Sequence, residues 1–340
     1  MTSPAPRATL VRDPDAPRSY HVTAEGEFRA TLSLPEMQRI IAENSGRLWV
    51  DIDATNRGQV SQLERLTSLH PLAMEDALNP ISRGKIEEYN GFLFTIIRGV
   101  RFHAETEDPY DLETFNIACF LGRNFLITVH HGKSESIAGA VDRLVRNPDL
   151  LGRGADRMMH LIMDAAVDAY FPLLDQIDDF IDGLEERVFE QFDDVVLRDI
   201  FAVKRLVLSL RRHLGPQREV FNVLTNRQSP YLAAEGQLYF RDIYDHVLRL
   251  NDALDTYREL LSSTMDSYLT QVSNRLGMAT KGLSAVATIS IPFVIVSGMW
   301  GMNFAHIPFS EAPHAFWWML VGQLGAGVLL YMLLRRRRLL

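Results

Sequence analysis

Cysteine is nearly absent: Cys119 is alone in 340 residues. One thiol cannot make an internal disulfide or a Cys-based zinc site. Its apolar setting, FNIACFLG, suits a reducing compartment and a small buried hydrophobe. No GxGxxG and no GxxxxGK(S/T) occurs, so dinucleotide and P-loop readings have no support. Ser, His and Asp do not recur at spacings that assemble nucleophile, base and orienter, and no enzyme is expected. The opening MTSPAPRATLVRDPDAPRS has no apolar signal region, and residues 1–19 read as a disordered lead-in. Charge itself is missing from two stretches: Leu283 to Met302 and Ala315 to Leu334 hold no Asp, Glu, Lys or Arg.

Those two runs of 20 residues each make a helix of about 30 Å, the thickness of a bilayer's hydrocarbon core. Two in tandem, closed by Arg335 to Arg338, predict a membrane hairpin, not a buried core hairpin. Arg275 and Lys281 precede the first run, and the loop 303–314 carries only Glu311. The positive-inside rule therefore places both termini in the cytoplasm and the loop outside, in a multi-pass protein of the cell (inner or plasma) membrane. Trp300, Trp317 and Trp318 fall near the outer ends, where amphipathic rings settle at headgroup level.

The net charge of −8 is uneven: Lys281 and four arginines against Glu311 make residues 281–340 +4, so residues 1–280 carry −12. An acidic body above a basic membrane foot argues against nucleic acid and suits divalent cations as ligands.

From residue 20 to about 155 short strand-like runs alternate with helices. SYHVTAEGEFRATL reads strand-turn-strand and RLWVDID as strand. SQLERLTSLHPLAMEDALN reads as helix, Pro break, helix, while GFLFTIIRGVRF and TFNIACFLGRNFLITVHHG are strand-rich with a turn at Gly122 to Asn124. This predicts a small cytoplasmic α/β domain. His103, His130 and His131 read as structural, because neighbours on a strand point to opposite faces.

Residues 156–282 are helical in character. A short helix after Ser136 is followed by a long amphipathic one through Met159, Ile162, Ala166, Ala169 and Leu173, and then by Val195 to Leu224, kinked or broken at Pro216. From Gln237 to Met302 no loop signal occurs, and one helix of 66 residues would be about 99 Å long. Such a helix needs partners to sheath it, and it would link a cytoplasmic body to the membrane mechanically. Acids are dense here, with Asp175, Asp178, Asp179, Asp242 and Asp245 the candidates for regulatory sites for hard divalent cations between subunits. Two spans cannot enclose a polar pathway, so a transporter must oligomerise. The first span, with Thr280, Ser284, Thr288, Ser290, Ser297 and Gly298 on it or its lead-in, is the better pore helix. The second, with Gly322, Gly325 and Gly327, is the packing helix, residues 315–334, before the basic tail 335–340.

Gly301-Met302-Asn303, at the outer end of the first span, resembles the GMN signature of the CorA-type magnesium transporters, in the superfamily that includes ZntB zinc transporters and mitochondrial Mrs2 proteins. VSNRLGMATKGLSAVATISIPFVIVSGMWGMNF, YFRDIYDH, RLWVDID, HPLAMEDALN and KIEEYNGFLF carry the likeness over about residues 20–340. The resemblance implies an α+β membrane protein: an N-terminal cytoplasmic α/β domain, long stalk helices and two C-terminal transmembrane helices, 283–302 and 315–334, in a funnel-shaped homopentamer in the lipid bilayer. It implies passive Mg²⁺ transport, with Co²⁺ and Ni²⁺ as further ions, gated by intracellular Mg²⁺. Gly301, Met302 and Asn303 would form the selectivity mouth, with Glu311 in the outer loop 303–314. Gly277, Thr280, Leu283, Ala287, Ile291, Val294 and Gly298 would line the pore, with Leu283, Ile291 and Val294 as apolar constrictions.

The chain departs from the family pattern at four places. Gly277 stands where Asn is common, Val294 where Thr is frequent, Trp300 where Tyr precedes GMN, and FAHIPFSE where EYMPEL is usual. With His306 and His314 beside the mouth, these keep open a Zn²⁺ transporter of ZntB type with proton coupling. A non-transporting membrane-anchored sensor or scaffold is the alternative from another class.

Overall fold

The structure is a computed structural model that describes residues 15–102, 112–190, 194–302 and 312–337. It divides into two compact units: residues 1–184 with 198–262, and residues 185–197 with 263–340. His103, Asn303, His306 and Glu311, and most of the lead-in, lie outside the described residues.

The first unit is built on a seven-stranded sheet. Its strands are β1 (Arg18–Val22), β2 (Phe28–Ala30), β3 (Arg47–Asp53), β4 (Lys85–Tyr89), β5 (Phe92–Phe102), β6 (Leu112–Leu121) and β7 (Phe125–His130), in the order β2-β1-β3-β7-β6-β5-β4. All pairs are antiparallel except β3 with β7, where Leu48 meets Phe125 and Asp53 meets His130. The parallel pair is buried on both faces, as helix-covered parallel strands are. On one face Leu48, Val50 and Ile52 pack with α1 (Leu34–Glu43), α2 (Arg57–Leu66) and α3 (Pro71–Leu78). On the other lie α4 (Glu135–Arg146), α5 (Asp149–Gly152) and α6 (Ala155–Asp168), whose Met158, Met159, Ile162 and Met163 are fully buried. Cys119 is fully buried as expected, and burial pushes its thiol pKa far up.

Local chemistry starts each helix. Ser33 and Glu36 form a capping box on α1, Asn56 accepts from the Gly58 and Gln59 amides at α2, and Ser134 caps α4.

The long amphipathic helix expected after Ala155 is two helices. α6 stops at Asp168 and α7 runs Phe171–Glu190. Pro172 has no N–H to give the Asp168 carbonyl, so the α-helical ladder cannot continue through it. Tyr170, wholly buried at the break, donates its hydroxyl hydrogen to the Arg98 carbonyl at 2.9 Å. Pro216 acts differently: α8 runs unbroken from Asp194 to Asn226 with that proline inside it.

α9 then runs from Ala234 to Trp300, 67 residues in one helix, as the absence of loop signals implied. Its start is capped from α6. The Ala233 amide donates to Asp156 Oδ2 at 3.1 Å, and a Cβ on Gly236 would sit 2.5 Å from that oxygen. We expect Gly236→Ala to destabilise the protein by about 1–3 kcal/mol although alanine is the better helix former, because the cap must open. In an Asp156→Ala background the same change becomes neutral or stabilising, up to about 1 kcal/mol. Thermal unfolding of the four proteins in detergent measures the cycle.

In the second unit α10 (Ala315–Arg336) packs against the C-terminal part of α9. A Cβ on Gly327 would lie 2.6 Å from the Phe293 ring, so glycine is what lets the helices close. Gln323 Nε2 donates to the Phe293 carbonyl at 3.5 Å and to Ser297 Oγ at 3.4 Å. α9 continues through Pro292 without a break. Both helices pass the length and composition test for a membrane span, with mean hydropathies of 1.8 and 1.6 over their most apolar 18 residues.

Candidate functional site

Gly277, Thr280, Leu283, Ala287, Ile291, Val294 and Gly298 all lie on α9. Steps of three and four residues put them on one stripe. Phe293 and Ser297, which meet α10, lie on a different side of the helix. All seven are exposed in the single chain, with Leu283 at 73%, Ile291 at 54% and Val294 at 69%. Apolar side chains this exposed in a row need either lipid or further protein. Thr280 returns its hydroxyl hydrogen to the Leu276 carbonyl at 2.8 Å, which costs the stripe nothing in backbone bonding. Of the mouth residues, Gly301 and Met302 form the turn after α9, with the Gly301 amide on the Ser297 carbonyl at 3.0 Å.

The five acids named as regulatory candidates do not gather at one centre. In the first unit Asp175 and Asp178 face Tyr257, whose pKa is pushed up to about 12 by burial and by the Asp178, Asp175 and Asp182 carboxylates. Tyr257 donates to the Leu174 carbonyl at 3.2 Å, so the ring is held at the acids' foot. Asp179 and Asp245 are exposed.

Asp242 belongs to a different cluster. Asp164 and Asp168 on α6 and His246 on α9 bring one donor atom each to within 4.8 Å of one another. His246 Nδ1 lies 3.0 Å from Asp168 Oδ1, and its Nε2 lies 4.0 Å from Asp242 Oδ2. Burial raises the Asp164 pKa and the neighbouring Asp168 charge adds to it, while the His160 and His246 rings oppose the rise. Burial lowers the pKa of His160 beside them, against the pull of Asp164. The half-buried Asp164 carboxylate held this close to the exposed Asp168 carboxylate is an electrostatic cost that a cation would remove. Asp164, Asp168 and His246 were not among the sequence candidates. Their only sequence signal is a pair of i, i+4 steps, Asp164 to Asp168 and Asp242 to His246, on helices far apart in the chain.

The family model described as "CorA-like Mg2+ transporter protein" matches residues 44–336. The cobalt/magnesium transport protein CorA of Thermotoga maritima is 30% identical over 294 residues, 85% of this chain and 82% of that protein. The complete structure of the CorA magnesium transporter from Methanocaldococcus jannaschii superposes with a TM-score of 0.80 at 21% identity, covering 94% of this chain and 97% of that one. Full-length CmaX superposes with a TM-score of 0.74 at 21% identity, over 96% and 99% of the two chains. These two likenesses establish the fold.

Proposed function

This chain belongs to the CorA-like Mg²⁺ transporter family, and from that premise we propose that it passes hydrated Mg²⁺ down the membrane potential through a homopentameric pore lined by α9 and gated by intracellular divalent cation. Membership makes it a membrane transport protein and not an enzyme. The observation that carries the pore is the exposed stripe from Gly277 to Gly298, which α10 leaves uncovered. One helix per subunit turned stripe-inward gives a channel lined by apolar side chains and the Thr280 hydroxyl, without charges. That suits an ion which dehydrates reluctantly. Leu283, Ile291 and Val294 would be its apolar constrictions. Gly301, Met302 and Asn303 would form the outer mouth with Glu311 in the loop, and both termini would be cytoplasmic.

Asn303→Ala is expected to lower Mg²⁺ flux into voltage-clamped proteoliposomes at least tenfold, because the mouth would lose its ring of amide carbonyls. Unchanged flux would mean that another route carries the ion.

Asp164, Asp168 and His246, with Asp242 beside them, are the regulatory site we propose, in place of a site built on Asp175, Asp178, Asp179 and Asp245. The two carboxylates supply the oxygen donors that Mg²⁺ takes, and the ion relieves their mutual repulsion. A second reading has one observation in its favour: the imidazole of His246 in this set suits Zn²⁺, Co²⁺ or Ni²⁺ better than Mg²⁺. Flux under a pH gradient decides, since zinc uptake that exceeds magnesium uptake and needs the gradient would replace the first reading.

A further inference from the structure

In the second unit a groove of about 320 Å³ runs between α9 and α10. Pro292, Phe293 and Val296 line it from α9, and Ala326, Leu330 and Leu333 from α10. Gln323 stands at the end farthest from the arginines, its amide already on the Phe293 carbonyl and Ser297 Oγ. From there to Leu333 the walls suit a hydrocarbon chain. Those ten residues make about 15 Å of helix, half the roughly 30 Å hydrocarbon core of a bilayer. The groove is thus one leaflet deep, and it ends two residues short of Arg335.

The groove also has a direction. At about 100° per residue, its three α9 residues stand roughly 140° to 240° round the helix from the middle of the Gly277 to Gly298 stripe. The two faces of α9 are therefore opposed. With the stripe turned to the pore proposed above, the groove looks outward to lipid.

Its mouth is basic. Gly327 meets Phe293 and Gln323 meets Ser297, so four residues forward on α10 match four residues back on α9. Arg336 then stands level with Ser284, within one turn of Lys281. Lys281, Arg335, Arg336 and Arg337 are exposed, and among the described residues none has a carboxylate within ion-pair distance. A basic cluster at the membrane surface beside a gap between spanning helices is where anionic headgroups settle.

We propose that this groove binds one acyl chain of an anionic phospholipid, whose headgroup phosphate lies among Lys281, Arg335 and Arg336. A second copy of the chain is the poorer occupant. After Asp266 the sequence holds one acid, Glu311, in the loop between the spans. The membrane helices of a copy would bring to this level only the same positive charge. Asp266 itself lies 15 residues before Lys281, about 22 Å back along α9.

The test is native mass spectrometry of the full-length protein in detergent, with phosphatidylglycerol and, separately, phosphatidylcholine of the same acyl chains. Wild type is expected to keep at least fivefold more phosphatidylglycerol. Ala326→Trp fills the groove from an exposed position and is expected to lower that retention at least fivefold. Arg335→Gln with Arg336→Gln should lower it to the level of phosphatidylcholine. Equal retention of the two lipids by wild type, or full retention by either variant, overturns the site. Should Ala326→Trp fail to fold, Ala326→Cys decides, since the native thiol Cys119 is fully buried. Slower maleimide labelling at position 326 with phosphatidylglycerol than with phosphatidylcholine supports the proposal, and equal labelling overturns it. Disulfide cross-linking between copies at that position makes the groove a subunit interface and also overturns it. No arm reads ion flux, so the pore stands or falls separately.

Discussion

Val294→Arg should cut Mg²⁺ flux at least a hundredfold while the protein still purifies as the wild-type assembly. Val294 is 69% exposed on the stripe that α10 does not touch, so among the described residues an arginine there meets no close neighbour. At an effective dielectric of about 20 and a separation of about 6 Å, one guanidinium opposes a divalent ion by roughly 5 kcal/mol. A symmetric ring multiplies that. Each 1.4 kcal/mol is a factor of ten, so even heavy screening leaves a large block. A charge facing lipid would instead cost about 3 kcal/mol of insertion and show as lost protein. Val294→Ser is expected to keep flux. Full conduction by the arginine variant, measured in proteoliposomes beside size-exclusion profiles, would remove the stripe from the ion path.

The acidic cluster should give the second large effect, with opposite signs in two conditions. Asp164 is raised above the ordinary carboxylate range by burial and by the Asp168 charge. A raised pKa favours the fold below the unfolded-state value, and that favour is lost as pH rises through the folded value. Near neutral pH the ionised pair is therefore a cost in the metal-free protein. Asp164→Asn is expected to raise the melting temperature in EDTA. Mg²⁺ bound at the cluster should stabilise wild type by about 2.7 kcal/mol at a hundred times its dissociation constant, and that gain should vanish in the variant. Lowering the pH toward the raised Asp164 value should weaken the gain in wild type, because a protonated carboxyl is a poor ligand. Melting curves at two pH values, with and without millimolar Mg²⁺, measure all three. A variant that keeps the full Mg²⁺ shift would move regulation elsewhere, with Asp175 and Asp178 next to be tested.

The membrane part was legible because lipid imposes a length and a charge rule that neighbours in sequence satisfy. The 67-residue α9 followed from the lack of any Pro-Gly punctuation between Gln237 and Gly277. The acidic cluster was not legible, since Asp164 and His246 lie 82 positions apart and only the packing of α6 on α9 makes them neighbours. Asp175, Asp178 and Asp179 stand out in the sequence because acids are dense there, but density along one helix does not show which acids converge with those of another helix. Pro172 was visible, yet the apolar period ran straight across it and hid the break between α6 and α7.

The lone parallel seam of the sheet also sets an order of assembly. β4 to β7 form an antiparallel meander whose partners are close in sequence, so these pairs can form early. The seam between β3 and β7 must wait, because β7 follows β3 by more than seventy residues and closing so long a loop costs entropy before any contact rewards it. The Trp49 indole N–H donates to Thr128 Oγ1 at 3.1 Å across that seam, and Thr128 in turn donates to Asp51. On the ribosome, β1, β2 and β3 can pair among themselves but cannot join the β4–β7 meander until His130 has emerged, and the open β3 edge is what a chaperone would meet first.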